Sequence, residues 1–429
     1  MSWGLSMANR TRLFSRNCLF DCCLRGRMGF SDGVKILGIE TSCDDTGIAI
    51  VDGNGKILGE ALNSQQSTHL QEKNYIYRYG GIIPPVAREL HRKNITDVCE
   101  KALRDANLRV RDVDAVAVTV KPGLPLSLMI GRNFGQYLSK IGNKPLIPIH
   151  HMEAHALTAR MSGEVEFPFL TLLISGGHCL LALVKDVADF YLLGTSIDDA
   201  PGEALDKLNF QTARKLKLRN IPEYADKNGG AAIELAASRA TNPFQFEFPA
   251  LMSHYKDCNF SFAGLKNSVE RVIGRLEEEH EIVGDKVVPD IENLCAGFQL
   301  CIAKHICHRT KRAIMFLDRT KLIPENKKTL VISGGVACNN FIAKSLQLVC
   351  DEMGYRFVRP PPKFCMDNGI MIAWNGLERW NADVGVLRDP LEIEKVEFES
   401  RAPLGINWID RVREEDITCR TVRSKELYP

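Results

Sequence analysis

The stretch VKILGIETSCDDTGIAIVDGNG (residues 34–55) decides the fold. Val34 to Ile39 is an apolar run of strand length, Glu40 to Thr46 is a polar turn, and Gly47 to Val51 is apolar again. Asp52-Gly53-Asn54-Gly55 is a turn signal, and Lys56 to Ala61 makes a third strand. Residues 62–85 follow as a polar loop, then a helix from Val86 to Asn107, a strand Ala115 to Val120, a helix over 127–141 and a strand Pro145 to Ile149. Strands with interleaved helices give an α/β class.

The theme returns downstream. Leu170 to Ile174 is a strand, Ser175-Gly176-Gly177 a turn, His178 to Val184 a strand, and 186–193 a further strand or its turn. Helices are expected over Gly202–Leu216, Ala231–Ala240, Ile291–Phe316, 339–353 and Asn368–Trp380, with an acidic loop from Glu277 to Pro289 and a strand Thr329 to Ile332 before Ser333-Gly334-Gly335. Glycine turns let backbone N–H groups approach an anion, because no Cβ intervenes. Two lobes offering such turns point to a phosphate-bearing ligand between them; ordinary strand-to-helix turns remain the alternative.

Length and composition bound the rest. The 429 residues, 45% hydrophobic and 25% charged, suit a globular chain of two or three domains. No apolar run approaches the ~18 residues that span a bilayer, so no membrane is expected. The net charge of +2 is uneven: Arg10, Arg12, Arg16, Arg25 and Arg27 face one acid, Asp21, within the first 30 residues. Such an Arg-rich, acid-poor start reads as a mitochondrial transit peptide, with a disordered tail as the alternative. The fourteen cysteines include no Cys-x-x-Cys and read as reduced core thiols.

His151 and His155 stand four apart at a helix start, which puts both imidazoles on one face within reach of one ion, with a capping and packing pair of histidines as the alternative. Glu153 lies two residues on, about 200° round the helix, where it cannot act as the base of a metalloprotease. Asp367 sits where the last helix begins; it is either an N-cap or the third member of a two-His-one-carboxylate set. Asp44 and Asp45 can bind an ion, orient a nucleophile or make Asx turns. Asn339, at a helix start, can cap it or touch a ligand. Two basic clusters, one from Arg214 to Arg219 and one from Arg309 to Arg312, read as solvated faces, with a tRNA footprint as the alternative.

Together the motifs resemble the tRNA N(6)-adenosine threonylcarbamoyltransferase family, in its bacterial TsaD-type and mitochondrial form. The matching stretches are Gly38 to Gly47, Tyr79-Gly80-Gly81 with Arg88 and His91, His151 to His155, Ile174 to His178, Asp198 to Lys207, Phe260 to Lys266, Ser333 to Val336 with Asn339, and Met366 to Gly369. The resemblance implies an actin/Hsp70/sugar-kinase-like (ASKHA) fold, with two ribonuclease-H-like lobes around a nucleotide cleft. The division expected is a transit or disordered segment 1–33, an N-terminal lobe 34–150, a C-terminal lobe 151–376 and a tail 377–429 packing back on the first lobe.

The resemblance also implies the reaction: threonylcarbamoyl-AMP donates its acyl group to the exocyclic amine of the adenosine beside the anticodon, in mitochondrial tRNAs reading codons that begin with A, and AMP leaves. It implies one divalent metal ion (iron, zinc or magnesium) on His151, His155 and Asp367. Ile174, Ser175, Gly176, Gly177, His178, Asp206, Gly230 and Asn339 match its acyl-adenylate positions, with Ser333, Gly334 and Gly335 beside them. Asp44 and Asp45 are the candidate catalytic acids, and a homodimer in the mitochondrial matrix is expected. Departures are Asp45, where bacterial members usually have glutamate, Lys121 and Leu126 where glycine is usual, and a longer stretch over 218–230. A small-molecule kinase or carbamoyltransferase on the same fold is the alternative; the histidine pair speaks against a kinase, whose Mg²⁺ needs carboxylates and water.

Overall fold

A computed structural model describes residues 33–65, 82–210, 216–420 and 422–428, with side-chain detail left out at 206–210 and 424. The transit segment, Tyr79-Gly80-Gly81 and the Asp206 side chain lie outside what it describes.

The quoted stretch folds into β1 (Lys35–Glu40) and β2 (Asp45–Asp52), antiparallel with Glu40 opposite Gly47. β3 (Ile57–Ser64) pairs antiparallel with β2 and extends three residues past the predicted strand, to Ser64. β4 (Ala115–Lys121) and β5 (Leu146–His150) add in parallel, giving the order β3-β2-β1-β4-β5. The parallel pairs need crossovers, and helices α1 (Pro84–Ala106) and α2 (Pro125–Gly142) supply them. Prolines at both N-termini and left-handed Asn107 and Asn143 at both C-termini set their limits.

The second sheet repeats the plan with β6 (Phe169–Ile174), β7 (Cys179–Asp186), β8 (Asp189–Thr195), β9 (Thr329–Ser333), β10 (Arg356–Val358) and β11 (Ile406–Asn407), in the order β10-β9-β6-β7-β8-β11. The stretch 186–193 is thus mostly a strand. Its helices are α3 (His151–Leu157), α4 (Pro201–Phe210), α5 (Gly229–Ser238), α6 (Ala263–Glu279), α7 (Ile291–Thr320), α8 (Asn340–Met353), α9 (Pro362–Cys365) and α10 (Gly369–Ala382). Helix α6 has no counterpart in the sequence expectation, and it takes up Glu277–Glu279 from the predicted acidic loop.

Three apolar clusters fill the layers. One lies between the first sheet and α1 and α2, and one between the second sheet and α5 to α8. A middle cluster joins the inner faces of both sheets through α3 and α10, including Ile149, Ala154, Leu173, Ile370 and Trp374. Helix α10 therefore lies on β1 and β2, although the sequence division runs the second lobe through 376. The tail divides: Leu387 bridges to Leu146 and Ile393 joins the first core, whereas β11 pairs with β8 and Val412 enters the second core. No helix among the described residues is long and apolar enough to cross a membrane.

Candidate active site and metal centre

The approach of α10 to the first sheet is what assembles the site. A Cβ on Gly38 would stand 2.2 Å from the Ala373 backbone nitrogen, and one on Gly47 2.7 Å from that of Gly369. Only hydrogen at these positions lets the helix start rest directly on β1 and β2, beside Glu40. Asn368 caps α10, its side chain accepting from Met371 N–H at 2.9 Å. The N-cap reading of Asp367 is thereby corrected: its neighbour takes that role, and its carboxylate turns to the histidines.

His151 and His155 open α3 directly after β5, with His150 as the N-cap whose ring accepts from Met152 N–H. The rings of His151 and His155 meet edge-on with centroids 4.7 Å apart. His155 Nε2 is 3.0 Å and His151 Nε2 3.5 Å from Asp367 Oδ1, and the three ligand atoms lie within 4.8 Å of one another. Both histidines are buried and Asp367 is partly open. Glu153 points away and pairs with Arg379 of α10, in accord with the argument against a metalloprotease.

Behind His151 stands Glu40, fully buried. Its Oε1 accepts from Ser42 N–H at 2.6 Å; its Oε2 accepts from the Thr119 hydroxyl at 2.6 Å and from His151 Nδ1–H at 3.1 Å. Ser42 Oγ is also 3.1 Å from Nδ1. Burial opposes the Glu40 charge, but His151 and the hydrogen bonds outweigh it and hold the carboxyl below its usual range. Burial likewise opposes charge on His151, and the Glu40 and Asp367 carboxylates raise it well above the usual imidazole value. The pocket thus stabilises positive charge between two acids.

These features fit a divalent cation. Two Nε2 atoms and a carboxylate oxygen converge, and Glu40 on Nδ1 holds His151 in the tautomer that leaves Nε2 for an ion, an arrangement common behind metal-bound histidines. Sequence reasoning did not single out Glu40 as a site residue; its partnership with His151 spans 111 positions, and no local pattern carries it.

Asp44 and Asp45 sit at the mouth of the same turn. Burial, then the charge of Asp44, pushes Asp45 up to about 7. Buried His91 pins the turn: its Nδ1 accepts from the Thr46 hydroxyl at 2.8 Å and its Nε2–H donates to the Cys43 carbonyl at 2.9 Å. Lys121 pairs with Glu399 at 3.2 Å, and Leu124 N–H donates to the Ser42 carbonyl at 2.8 Å, so the departing 121–126 stretch packs on this turn.

The candidate adenylate residues form a second group. Ile174 ends β6, and Ser175 N–H donates to the His178 carbonyl at 2.9 Å, while Ser175 Oγ accepts from Gly177 and His178 N–H. Gly176 and Gly177 are exposed, with open space where a Cβ would stand. Gly334, at φ +99, would put a Cβ 2.3 Å from the Ile174 carbonyl, so the 174–178 and 333–335 turns adjoin. Gly230 lies over Leu205 of α4, 3.7 Å from where its Cβ would be. A Cβ on Gly335 would meet Met366 Sδ at 3.4 Å, which brings this group against the loop ending in Asp367. Ser333 is fully buried. Asn339 caps α8, accepting from Ile342 N–H at 2.9 Å and donating to Gln299 at 3.0 Å. Burial and the nearby His151 hold His178 down at about 4, so it is neutral at physiological pH. A separate cavity of about 430 Å³, lined by Phe246, Phe248, Lys304, His305 and His308 among others, includes none of these residues.

The chain is similar to known proteins along most of its length. The profile of TsaD, tRNA N6-adenosine threonylcarbamoyltransferase, matches residues 63–374. The mitochondrial tRNA N6-adenosine threonylcarbamoyltransferase of Xenopus tropicalis is 47% identical over 93% of this chain and 96% of its own, and that of Homo sapiens is 46% identical over 89% of each. Among solved structures, HypF from T. kodakarensis superposes with a TM-score of 0.51 at 12% identity, covering 83% of this chain and 49% of that one, and this likeness bears on the fold alone. The family profile over most of the chain and the identity over nearly its whole length lead to one conclusion: the chain belongs to the tRNA N6-adenosine threonylcarbamoyltransferase family.

Proposed function

We propose that this mitochondrial transferase moves the threonylcarbamoyl group of threonylcarbamoyl-AMP to the exocyclic amine of the adenosine beside the anticodon, in mitochondrial tRNAs reading codons that begin with A. The observation that supports the reading best is the meeting of His151, His155 and Asp367 at a loop whose Met366 abuts the Gly335 turn. A cation pocket and an anion-accepting backbone turn side by side suit an acyl phosphate.

In the reaction the amine nitrogen attacks the carbonyl carbon, the bond from that carbon to the phosphate oxygen breaks, and AMP departs with the electron pair. The leaving group is good, so the protein has chiefly to position the partners and neutralise charge. His151, His155 and Asp367 would hold a divalent ion, which supplies Lewis-acid stabilisation of phosphate charge when bound. The 174–178 and 333–335 turns, with Asp206, Gly230 and Asn339, hold the adenylate. Asp45, poised at about 7, accepts the proton that the amine loses, with Asp44 keeping its affinity for that proton high. We assign the protein a homodimeric state in the matrix on the same footing.

The test is reconstitution. Purified protein with threonylcarbamoyl-AMP, divalent metal and unmodified tRNA should yield threonylcarbamoyladenosine by nucleoside mass spectrometry, and His151→Ala should yield none while keeping a native circular dichroism spectrum. Absence of product from the wild type, with a mitochondrial extract supplying any partner, refutes the reading.

A further inference from the structure

Helix α6 begins without a cap of its own. Phe262 stands at its N-cap position and offers no side-chain acceptor, and its first turn contains no acid. A helix start needs acceptors for its free N–H groups and favours negative charge. Both come from the loop that joins β8 to α4. Asp198 Oδ1 accepts from Phe262 N–H at 2.9 Å, the bond that an acid three residues into the helix makes in a capping box. Its Oδ2 accepts from the Ser261 hydroxyl at 2.5 Å, and Asp199 pairs with Lys266 on the first turn of α6.

Backbone bonds zip the same join. Thr195 N–H donates to Asn259 Oδ1 at 3.0 Å, Phe260 N–H to the Thr195 carbonyl at 3.0 Å and Ile197 N–H to the Phe260 carbonyl at 2.9 Å. Behind them, the buried rings of Phe260 and Phe262 meet the His305 ring of α7 edge-on at 5.7 and 5.4 Å, and His305 Nε2 accepts from Ser261 N–H at 3.3 Å. The 196–202 loop is thus anchored to the second core on one side. On the other it meets the 174–178 turn. Ser196 N–H donates to the Cys179 carbonyl at 2.9 Å, and Gly202 N–H to the Ser175 carbonyl at 3.2 Å. A Cβ on Gly202 would stand 2.7 Å from that carbonyl and 2.8 Å from Gly176 Cα, so α4 starts in direct contact with the turn. With open space on the Cβ side of Gly176 and Gly177, the turn takes its position from this contact and from its own internal hydrogen bonds.

We propose that Asp198 is a positioning residue for the acyl adenylate: its carboxylate ties the 196–202 loop to the start of α6, and the loop holds the Ser175–Gly177 turn where the phosphate is received, on the reading given above of that turn as the adenylate's. Both carboxylate oxygens are engaged with α6 and the residue before it. Their loss loosens the turn for substrate and transition state alike, so KM rises and kcat holds.

The full chain and its variants are compared by hydrogen–deuterium exchange, titration calorimetry with AMP and steady-state transfer. In Asp198→Ala, exchange in peptides covering 174–179 should quicken about 10-fold, and the Kd for AMP and the KM for threonylcarbamoyl-AMP should rise by about the same factor, with kcat held within about twofold. Asp198→Asn keeps an acceptor for Phe262 N–H and can turn its NH₂ to Ser261 Oγ, so it should stay within about threefold of wild type. Asp389→Ala is the control. Asp389 caps the helix Pro390–Glu394, accepting from Leu391 N–H at 2.9 Å, and its loss should cost stability without moving KM. Should Asp198→Ala not fold, Ser261→Ala removes one of the two bonds and should shift exchange and KM about threefold in the same direction; no shift overturns the role of Asp198. Unchanged exchange over 174–179 in Asp198→Ala, a KM equal to that of the control, or a fall in kcat with KM unmoved does the same. A wild type that binds AMP but transfers nothing counts against the transferase reading, and the effect of Asp198 on AMP affinity still decides its role. A wild type that neither binds AMP nor makes product overturns both.

Discussion

Replacing Glu40 with glutamine exchanges one carboxylate oxygen for an NH₂ group and leaves the shape of the side chain intact. The carboxylate accepts three hydrogen bonds, from Ser42 N–H, the Thr119 hydroxyl and His151 Nδ1–H. If the new NH₂ faces Ser42, two donors confront each other. If it faces His151, that ring must accept at Nδ1, and its remaining proton moves to Nε2, the atom proposed to hold the metal. Either orientation forfeits a charge-assisted bond or the ligating tautomer, at a cost of about 1.5–3 kcal/mol. Divided by ~1.4 kcal/mol per tenfold, this means roughly 10- to 100-fold weaker binding of a divalent ion. The assay is titration calorimetry of the apo-protein with Zn²⁺, Fe²⁺ or Mg²⁺, using whichever wild type binds, alongside a urea melt. The expected result is a raised Kd with most of the fold's stability retained. An unchanged Kd would refute the inference that Glu40 sets the His151 tautomer.

Three further outcomes follow from the packing and charges described. Burial and the Arg309 charge hold His305 down at about 3, against an ordinary 6.5. Its folded value is depressed, so the stability tied to its neutrality is present above pH 6.5 and is lost as pH falls towards 3. His305→Gln should make the acid limb of urea-melt stability shallower by up to about 1.4 kcal/mol per pH unit in that window; an identical pH profile counts against it. Gly38→Ala places a methyl against the Ala373 backbone, and should cost about 1–3 kcal/mol in a urea melt and weaken metal binding as α10 lifts from β1; a wild-type Kd would separate the two. Arg160 is buried and paired with Glu378 at 2.7 Å, so Arg160→Met should cost about 3–5 kcal/mol by stranding the carboxylate, and Arg160→Met with Glu378→Gln should recover part of it.

Much of this architecture is written locally. The apolar runs of 34–51 and 170–184 are long enough, and their turns polar enough, to mark strands without knowledge of partners. The His151/His155 pair is likewise visible, because an i, i+4 spacing is a property of one helix. Helix α6 was equally accessible: Leu265, Val269, Ile273 and Leu276 form its buried stripe, but the many charged residues between them mask the period. Other features are long-range and leave no local trace. Glu40 reads as a turn residue until β4 and α3 bring Thr119 and His151 to it. Asp367 cannot be told from an N-cap until Asn368 is seen in that role. The tail's division between two cores depends on Leu387 finding Leu146 and Ile406 finding Tyr191, pairings set by tertiary packing rather than by periodicity.

Asp367, the proposed third ligand, enters the chain 212 residues after His155, and it reaches its place only when α10 settles on glycines of the two earliest strands. A nascent polypeptide emerging from the ribosome carries both imidazoles long before it owns the carboxylate. On the proposed ligand set, ion capture of full strength marks the end of biogenesis, and immature or C-terminally clipped copies are left unarmed.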